Sequence, residues 1–242
     1  MLLHFVTVGE ADAPAALLVH GLFADHGNWW RVVETLTRRG YQVVMPDLAG
    51  HGRSSRRDQY TPQSWADDLV DTFGNADFEM AIGHSLGGLA LALAATRLSV
   101  RRIIYLDPIW KMSSEQHASL GSVWRDQASW TPERWAVAYP LWADGDVESR
   151  IRSIALMDPG CVDGAAPGGG HDFMPRAATP GIASTVLVAD QSQFVSTADA
   201  EQLIAAGFDV RVTPTLGHAG FRENFEGFET ELEAVLGSST KP

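Results

Sequence analysis

The clearest chemical signal in the chain is a serine between glycines. Residues 83–88 read Gly-His-Ser-Leu-Gly-Gly, so Ser85 stands at the centre of a G-x-S-x-G pattern. An apolar run at 80–82 precedes the pattern, and a helix-forming run at 89–96 follows it. A tight bend between a strand and a helix holds such a hydroxyl clear of the surrounding packing, where it can attack a carbonyl carbon. The pattern therefore predicts that Ser85 is a nucleophile.

A serine nucleophile of this kind needs a general base and hydrogen-bond donors for the oxyanion. His218 follows the last apolar run of the chain and is the candidate base. The predicted donors are two backbone N–H groups, and one of them belongs to Leu86, directly after the serine. The other comes from the loop His-Gly-Leu-Phe at 20–23, where Leu22 is favoured and Phe23 is the alternative.

Alternating strands and helices must position these residues. Continuous apolar runs that are typical of strands lie at 15–19, 41–45, 79–82, 102–106, 185–189 and 208–212, with helical patterns between most of them. Strands that are apolar throughout indicate a parallel sheet with helices on both faces. The sequence therefore predicts an α/β fold with a doubly wound, mostly parallel sheet. We expect the site at the carboxyl edge of this sheet, where open α/β sheets bind ligands.

The alternation stops between about 110 and 180, where short helical patterns replace clear strands. We expect a helical cap insertion at 110–177, placed over the edge of a core formed by 1–109 and 178–242. Five of the eight tryptophans lie in this insertion. Two interpretations are open, because the rings either fill the cap's own core or line an apolar substrate pocket. The candidates for substrate contact are Phe23, Trp110, Trp135 and Trp142.

Composition disfavours several classes of partner. The chain has 242 residues and a formal net charge of −12, which opposes binding to nucleic acid and to anionic membranes. Cys161 is the only cysteine, so no internal disulfide can form. The sequence has no Walker loop, no H-E-x-x-H and no C-x-x-C, and we expect neither a metal nor a cofactor. Without a signal-peptide pattern or a long apolar run, a soluble cytoplasmic protein is expected.

Four landmarks of the chain, taken in order, resemble those of the α/β-hydrolase superfamily. They are His-Gly at 20–21, Asp-Leu-Ala-Gly-His-Gly-Arg-Ser at 47–54, the serine pattern at 83–88 and Gly-His at 217–218. The resemblance covers almost the whole chain except the predicted cap. It implies the α/β-hydrolase fold and a Ser-His-Asp triad. It also makes the segment 47–54 a structural turn, with no catalytic role for Asp47 or Ser54.

The resemblance leaves the acid of the triad open between two aspartates. Members of the superfamily usually carry the acid after the strand expected here at 185–189, but Asp190 lies two residues before that position, which holds Ser192. A minority carry it after the strand that follows the serine's helix. There this chain has Leu-Asp-Pro, with Asp107 in the middle. Asp107 is favoured, and Asp190 stays open as the alternative.

Together these residues predict a cofactor-free serine hydrolase that cleaves a carboxylic ester or lactone through an acyl-enzyme. The tryptophans, and the absence of a basic cluster near the motifs, favour a small, neutral and fairly apolar substrate. Two alternatives stay open: cleavage of a carbon–carbon bond in a diketone by the same residues, and a small-molecule-binding protein without catalysis. A small-molecule substrate is the expected partner, and the sequence indicates no oligomeric state.

Overall fold

A seven-stranded sheet organises the chain, whose computed structural model describes residues 1–214 and 216–237. The strands are β1 (Phe5–Val8), β2 (Ala15–Val19), β3 (Gln42–Pro46), β4 (Asp77–Phe78), β5 (Met80–His84), β6 (Ser99–Val100), β7 (Arg102–Leu106), β8 (Lys111–Met112), β9 (His171–Asp172), β10 (Ala183–Ala189) and β11 (Asp209–Thr213). The main sheet has the order β1-β3-β2-β5-β7-β10-β11. Its strands pair in parallel except β1, which runs antiparallel to β3. The predicted mostly parallel sheet is confirmed.

Helices cover both faces of this sheet. They are α1 (Trp30–Arg38), α2 (Pro62–Phe73), α3 (Leu86–Ala94), α4 (Ser114–Gln127), α5 (Pro132–Ala138), α6 (Asp144–Leu156), α7 (Gly160–Ala165), α8 (Thr197–Ala205), α9 (Gly220–Glu223) and α10 (Phe225–Gly237). Helices α2, α3 and α8 pack on one face of the sheet, and α1 and α10 pack on the other. In the described ranges, none of these helices has the length and hydropathy needed to cross a bilayer.

The central strands are apolar throughout because both of their faces are buried. In β2, Leu17 and Val19 belong to one hydrophobic cluster, and Ala16 and Leu18 belong to the other. Successive side chains of a strand point to opposite faces, so a strand between two helical layers needs apolar residues at every position. The edge strand β1 differs, because three of its four residues are exposed. Its residues, Phe-Val-Thr-Val, are mostly apolar although they are exposed.

Between β7 and β10 the chain leaves the main sheet. This segment holds α4 to α7, and the short strands β8 and β9 pair antiparallel at its two ends. The sequence predicted no strand here, and the pair joins the beginning of the segment to its end. The short helical patterns expected here correspond to helices α4 to α7. A cap at 110–177, and a core at 1–109 and 178–242, stay a prediction.

An aromatic cluster stabilises the segment between β7 and β10. Trp135 is fully buried, and the rings of Trp130, Tyr139 and Trp142 pack around it with centroid distances of 4.8, 5.5 and 6.0 Å. Trp135 belongs to the same hydrophobic cluster as the buried residues of α2 and α3. The segment therefore shares its hydrophobic cluster with those helices.

Candidate active site

Ser85 stands at the turn between β5 and α3. Its backbone has φ +53° and ψ −116°, a strained combination for a residue other than glycine. The Ser85 N–H donates to the carbonyl of Leu106 on β7 at 3.0 Å, which fixes the bend against the next strand. Gly87 must lack a side chain, because a Cβ there would collide with the carbonyl oxygen of Val19. The tight bend expected from the sequence is therefore present.

His218 joins the serine to a carboxylate. It lies between β11 and α9, and its Nε2 is 3.1 Å from the hydroxyl oxygen of Ser85. Its Nδ1 is 2.6 Å from Oδ2 of Asp107. When Nδ1–H donates to the carboxylate, the lone pair of Nε2 faces the hydroxyl and can accept its proton. The ring of His84 donates from Nε2 to the His218 carbonyl at 2.8 Å, which holds the backbone of the turn.

Asp107 directly follows β7 and is almost completely buried. Its Oδ1 accepts a hydrogen bond from the N–H of Ala189 at 3.3 Å, and its own N–H donates to the carbonyl of Leu187 at 2.9 Å. Both partners belong to the neighbouring strand β10, so the sheet itself orients the carboxylate. The φ of Asp107 is +38°, which places a second strained residue beside the serine turn.

Asp190, the alternative acid, lies elsewhere. Its side chain is exposed and has no hydrogen bond to His218 or to another group in the described part of the chain. Its backbone N–H donates to the carbonyl of Leu216 at 2.9 Å. Of the two aspartates that the sequence left open, the structure brings Asp107 to the histidine.

Backbone N–H groups beside Ser85 are available as hydrogen-bond donors. Leu86 is the first residue of α3, so its N–H has no acceptor within the helix and lies at the positive end of the helix dipole. Leu22 lies in the turn after β2, next to Phe23, whose φ is +62°. Leu22 and Phe23 line the same cavity as Ser85.

Ser85 opens into a cavity of about 390 Å³, a size that suits a small molecule. The strand ends and their loops contribute one group of lining residues, which includes Ser85, Asp107 and His218. The segment between β7 and β10 contributes a second group, formed by Ile109, Leu120, Val123, Gln127, Tyr139, Trp142 and Arg150. The cavity therefore depends on both parts of the chain.

Of the four aromatic residues predicted to contact a substrate, two line the cavity and two do not. Phe23 and Trp142 line it. Trp110 is fully buried among other core rings, and its Nε1–H donates to the carbonyl of Gly88 at 3.2 Å. Trp135 is fully buried in the aromatic cluster. The interpretation of Trp110 and Trp135 as substrate contacts is corrected, because both rings fill space between packed elements.

Two arginines that the sequence did not single out also line the cavity, Arg150 of α6 and Arg222 of α9. Arg222 is only 3% exposed, and among the described residues its Nε and Nη2 have no hydrogen-bond partner. Arg150 donates to the carbonyl of Phe23 at 2.9 Å and to the side-chain oxygen of Gln127 at 3.3 Å. Burial lowers the pKa of Arg150 to about 9 and that of Arg222 to about 10. Both groups therefore carry a positive charge at neutral pH.

These arginines remove one of the two grounds for expecting a neutral substrate. That expectation rested on the tryptophans of the segment and on the absence of a basic cluster near the motifs. The one available signal was that Arg222 follows His218 by a helical turn, and nothing in the sequence of α6 distinguishes Arg150. Folding brings both side chains to one cavity.

A cluster of residue types that can bind metals, two histidines and an aspartate, lies outside the cavity. Ligand atoms of His4, His26 and Asp47 lie within 4.8 Å of one another. The Asp47 carboxylate already accepts hydrogen bonds from both histidine rings and from the N–H groups of His26 and Arg53. Burial raises the pKa of Asp47, but these hydrogen bonds outweigh it and hold the pKa well below its usual value. The group therefore acts as a structural anchor of the turn at 47–54.

Comparison with known families gives one match that spans most of the chain. The family described as "Alpha/beta hydrolase family" matches residues 16–230. A segment of 94 residues is 39% identical to the magnesium-chelatase 30 kDa subunit of Rhodobacter capsulatus, covering 37% of this chain and 33% of that protein. A segment of 83 residues is 36% identical to 3-oxoadipate enol-lactonase 1 of Acinetobacter baylyi, covering 34% and 31%. The matches span about a third of these curated relatives.

Solved structures share the fold over nearly the whole chain. E-2-(acetamidomethylene)succinate hydrolase superposes with a TM-score of 0.78 at 20% identity, covering 98% of this chain and 95% of that chain. N-Formylmaleamic acid deformylase from Pseudomonas putida S16 superposes with a TM-score of 0.76 at 22% identity, covering 95% of each chain. At these identities the likeness concerns the architecture of the chain.

Proposed function

Because the chain belongs to the alpha/beta hydrolase family, we propose that it is a serine hydrolase that cleaves a carboxylic ester or lactone of a small substrate. One observation carries this proposal. Asp107, His218 and Ser85 are linked by hydrogen-bond distances of 2.6 and 3.1 Å, and the serine borders a cavity large enough for a small molecule. The three residues supply an acid, a base and a nucleophile in the order that acyl transfer requires.

In the first half of the reaction, Ser85 forms the acyl-enzyme. His218 Nε2 takes the hydroxyl proton as the Ser85 oxygen attacks the carbonyl carbon of the substrate. Asp107 keeps the imidazole in the tautomer with a proton on Nδ1 and stabilises the imidazolium. The backbone N–H groups of Leu22 and Leu86 donate hydrogen bonds to the oxyanion. The ester C–O bond then breaks, and His218 returns the proton to the leaving alcohol.

In the second half, water releases the acyl group. His218 takes a proton from water as the water oxygen attacks the acyl carbon, and it then protonates Ser85 as the bond to the serine breaks. The products of an ester are a carboxylic acid and an alcohol. With a lactone, the alcohol remains attached to the acyl group, so the product is a single hydroxy acid. No cofactor takes part in either half.

Two of the similar proteins support an ester or lactone as the cleaved group. One of them is an enol-lactonase, and the similar solved structures include an esterase of Exiguobacterium antarcticum. The cavity supports the proposal independently, because apolar side chains and polar groups both line it, as in sites that bind small organic molecules.

The test is the hydrolysis of a panel of p-nitrophenyl acyl esters and lactones by the wild-type protein and by Ser85→Ala. We expect the substitution to lower kcat by about 10⁴- to 10⁶-fold, the range typical of a lost serine nucleophile. Ser129→Ala removes an exposed hydroxyl far along the chain and serves as the matched control. Equal rates for the wild type and Ser85→Ala, or turnover of diketones alone, would contradict the proposal.

A further inference from the structure

The cavity contains two guanidinium groups that the reaction described above does not use. Arg150 and Arg222, which we call the arginine pair, both line it. Neither forms an ion pair with a carboxylate in the described part of the chain. The Nε and Nη2 atoms of Arg222, and the Nε atom of Arg150, also have no hydrogen-bond partner. Burying such groups costs free energy unless an acceptor satisfies them.

Another arginine of α6 shows how this protein normally satisfies a guanidinium. Arg152 donates from Nε and Nη2 to the two oxygens of Asp25, at 2.9 and 2.7 Å. The same two nitrogen atoms lack a partner in Arg222. They form one edge of the planar group, and its parallel N–H bonds match the two oxygens of a carboxylate. Arg222 therefore lacks the partner that Asp25 provides to Arg152.

The acidic groups near Arg222 do not fill this position. The charges of Asp146, Asp25 and Glu223 act on Arg222, but none of them forms an ion pair with it. Asp25 is held by Arg152, and Asp146 accepts a hydrogen bond from the Trp30 indole at 3.0 Å. The Arg222 guanidinium instead lies against the Trp142 ring, 4.7 Å from its centroid.

The two members of the arginine pair also repel each other. Burial lowers the pKa of Arg150, and the charge of Arg222 lowers it further. In the described residues, two positive charges line one cavity and neither is paired with a carboxylate. An anion bound between them would satisfy the free N–H groups and remove the repulsion.

We propose that the substrate carries a carboxylate, separate from the ester or lactone carbonyl, and that Arg222 binds it together with Arg150. This inference rests on the proposed function, since it describes the substrate of the same site. Arg222 provides the paired N–H edge, and Arg150 adds the N–H of its Nε. The free atoms of Arg222 are covered by surrounding side chains, so the carboxylate enters with a side-chain movement at this end of the cavity.

The first test compares two esters that differ only in charge. They are the mono-p-nitrophenyl ester of adipic acid and the same compound with its free acid converted to a methyl ester. We expect the wild type to favour the charged ester in kcat/KM by about 10- to 100-fold, the usual effect of a hydrogen bond to a charged group. Arg222→Gln should remove most of this preference, and Arg222→Lys should keep part of it. The ratio of the two esters cancels any loss of folded protein.

The exposed Arg125→Gln on α4 is the matched control and should keep the wild-type ratio. A second measurement does not need catalysis. In Ser85→Ala, adipate should raise the Tm in a saturable manner, and the added Arg222→Gln substitution should abolish the rise. Serine-dependent hydrolysis with no charge preference and no adipate effect would overturn the inference and leave the proposed function standing. Adipate binding that depends on Arg222, without hydrolysis of either ester, would overturn the proposed function and leave the anion site standing.

Discussion

Two groups of residues line the same cavity and differ in how completely their polar atoms are satisfied. In the first group, Ser85, His218 and Asp107 form a continuous series of hydrogen bonds, and Asp107 accepts another from the backbone of β10. In the second group, the arginine pair keeps several N–H donors without acceptors. On our proposals, the difference means that the fold assembles the reacting groups and that a ligand completes the arginine pair.

The difference follows from where the two groups stand. Asp107 follows β7 and Ser85 follows β5, and these strands are hydrogen-bonded neighbours. The backbone of a sheet has few ways to move, so it fixes the distances between side chains at its edge. The arginine pair stands on the helices α6 and α9. Their side chains are long, and aromatic rings pack against both guanidinium groups. Arg150 is also held by its hydrogen bonds to Phe23 and Gln127.

The largest expected effect concerns the residues proposed to react, Ser85, His218 and Asp107. Asp107→Asn should lower kcat by about 10⁴-fold for charged and neutral esters alike, because the amide cannot hold His218 in the required tautomer. Asp190→Asn is the matched control, since its side chain is exposed and does not contact His218. Steady-state kinetics of both variants measure this. A large loss in Asp190→Asn, with Asp107→Asn active, would contradict the assignment of the acid.

A smaller effect is expected where the turn after β2 approaches the serine. A Cβ at Gly21 would lie 2.8 Å from His84 Nδ1 and 2.9 Å from Ser85 Cβ. Gly21→Ala should therefore shift the turn that carries Leu22 and lower kcat by about 100-fold, as small misplacements of reacting groups do. Gly237→Ala, where a Cβ meets nothing within 4 Å and the backbone is not left-handed, controls for loss of a glycine. An unchanged kcat in Gly21→Ala would show that this turn takes no part in the reaction.

A substitution next to the arginine pair should change KM more than kcat. Trp142→Leu removes the ring that lies 4.7 Å from the Arg222 guanidinium. The loss of a buried cation–π contact should loosen Arg222 and raise KM for the charged ester by about 5- to 30-fold. The change in kcat should be smaller than this. A loss confined to kcat would place Trp142 with the reacting group instead.

The smallest expected effect concerns His51, a buried side chain that, unlike the arginine pair, lies outside the cavity. His51 is fully buried, its Nε2 has no partner, and it does not line the cavity. Burial lowers its pKa to about 3, so it is neutral in the folded protein. In the unfolded chain the pKa of a histidine is about 6.5. Between about pH 3 and pH 6.5, His51 therefore binds a proton in the unfolded chain but not in the folded chain. Stability is therefore complete above pH 6.5 and falls as the pH drops through this window.

For His51 this slope is at most about 1.4 kcal/mol of unfolding free energy per pH unit. Burial also lowers the pKa values of His20 and His84, which act in the same direction, whereas hydrogen bonding to Asp47 raises that of His26, which acts against it. His51→Asn should reduce the total slope and leave the other histidines in place. Denaturant unfolding at several pH values between 6.5 and 4 measures it. An identical slope in the variant would show that His51 accepts a proton in the folded state.

Parts of the fold could be predicted because burial on two faces leaves a continuous apolar pattern. The runs at 15–19 and 102–106 coincide with β2 and β7. The edge strand β1 was not predicted from the sequence, although its residues Phe-Val-Thr-Val are mostly apolar. Strands β8 and β9 were not predicted either, because two residues carry no pattern. The segment between β7 and β10 was predicted as helical, but its bounds depend on packing between aromatic rings.

The candidate site also has one part that the sequence predicted and one part that it did not. Ser85 and His218 could be proposed from local patterns, because a tight turn and a late loop each leave a short signature. The arginine pair could not, since its members are distant in sequence and meet only through the packing of α6 and α9. Composition also could not separate Trp110 and Trp135 from Trp142, because a core ring and a cavity ring need the same side chain.

The most direct test of the central claim is labelling with a fluorophosphonate, which reacts with an activated serine hydroxyl. The intact mass of the wild type should rise by one label, and peptide mapping should place it on Ser85. Ser85→Ala should remain unlabelled, and His218→Gln should label far more slowly, because it lacks the base that activates the hydroxyl. Labelling at another residue that persists in Ser85→Ala would contradict the account.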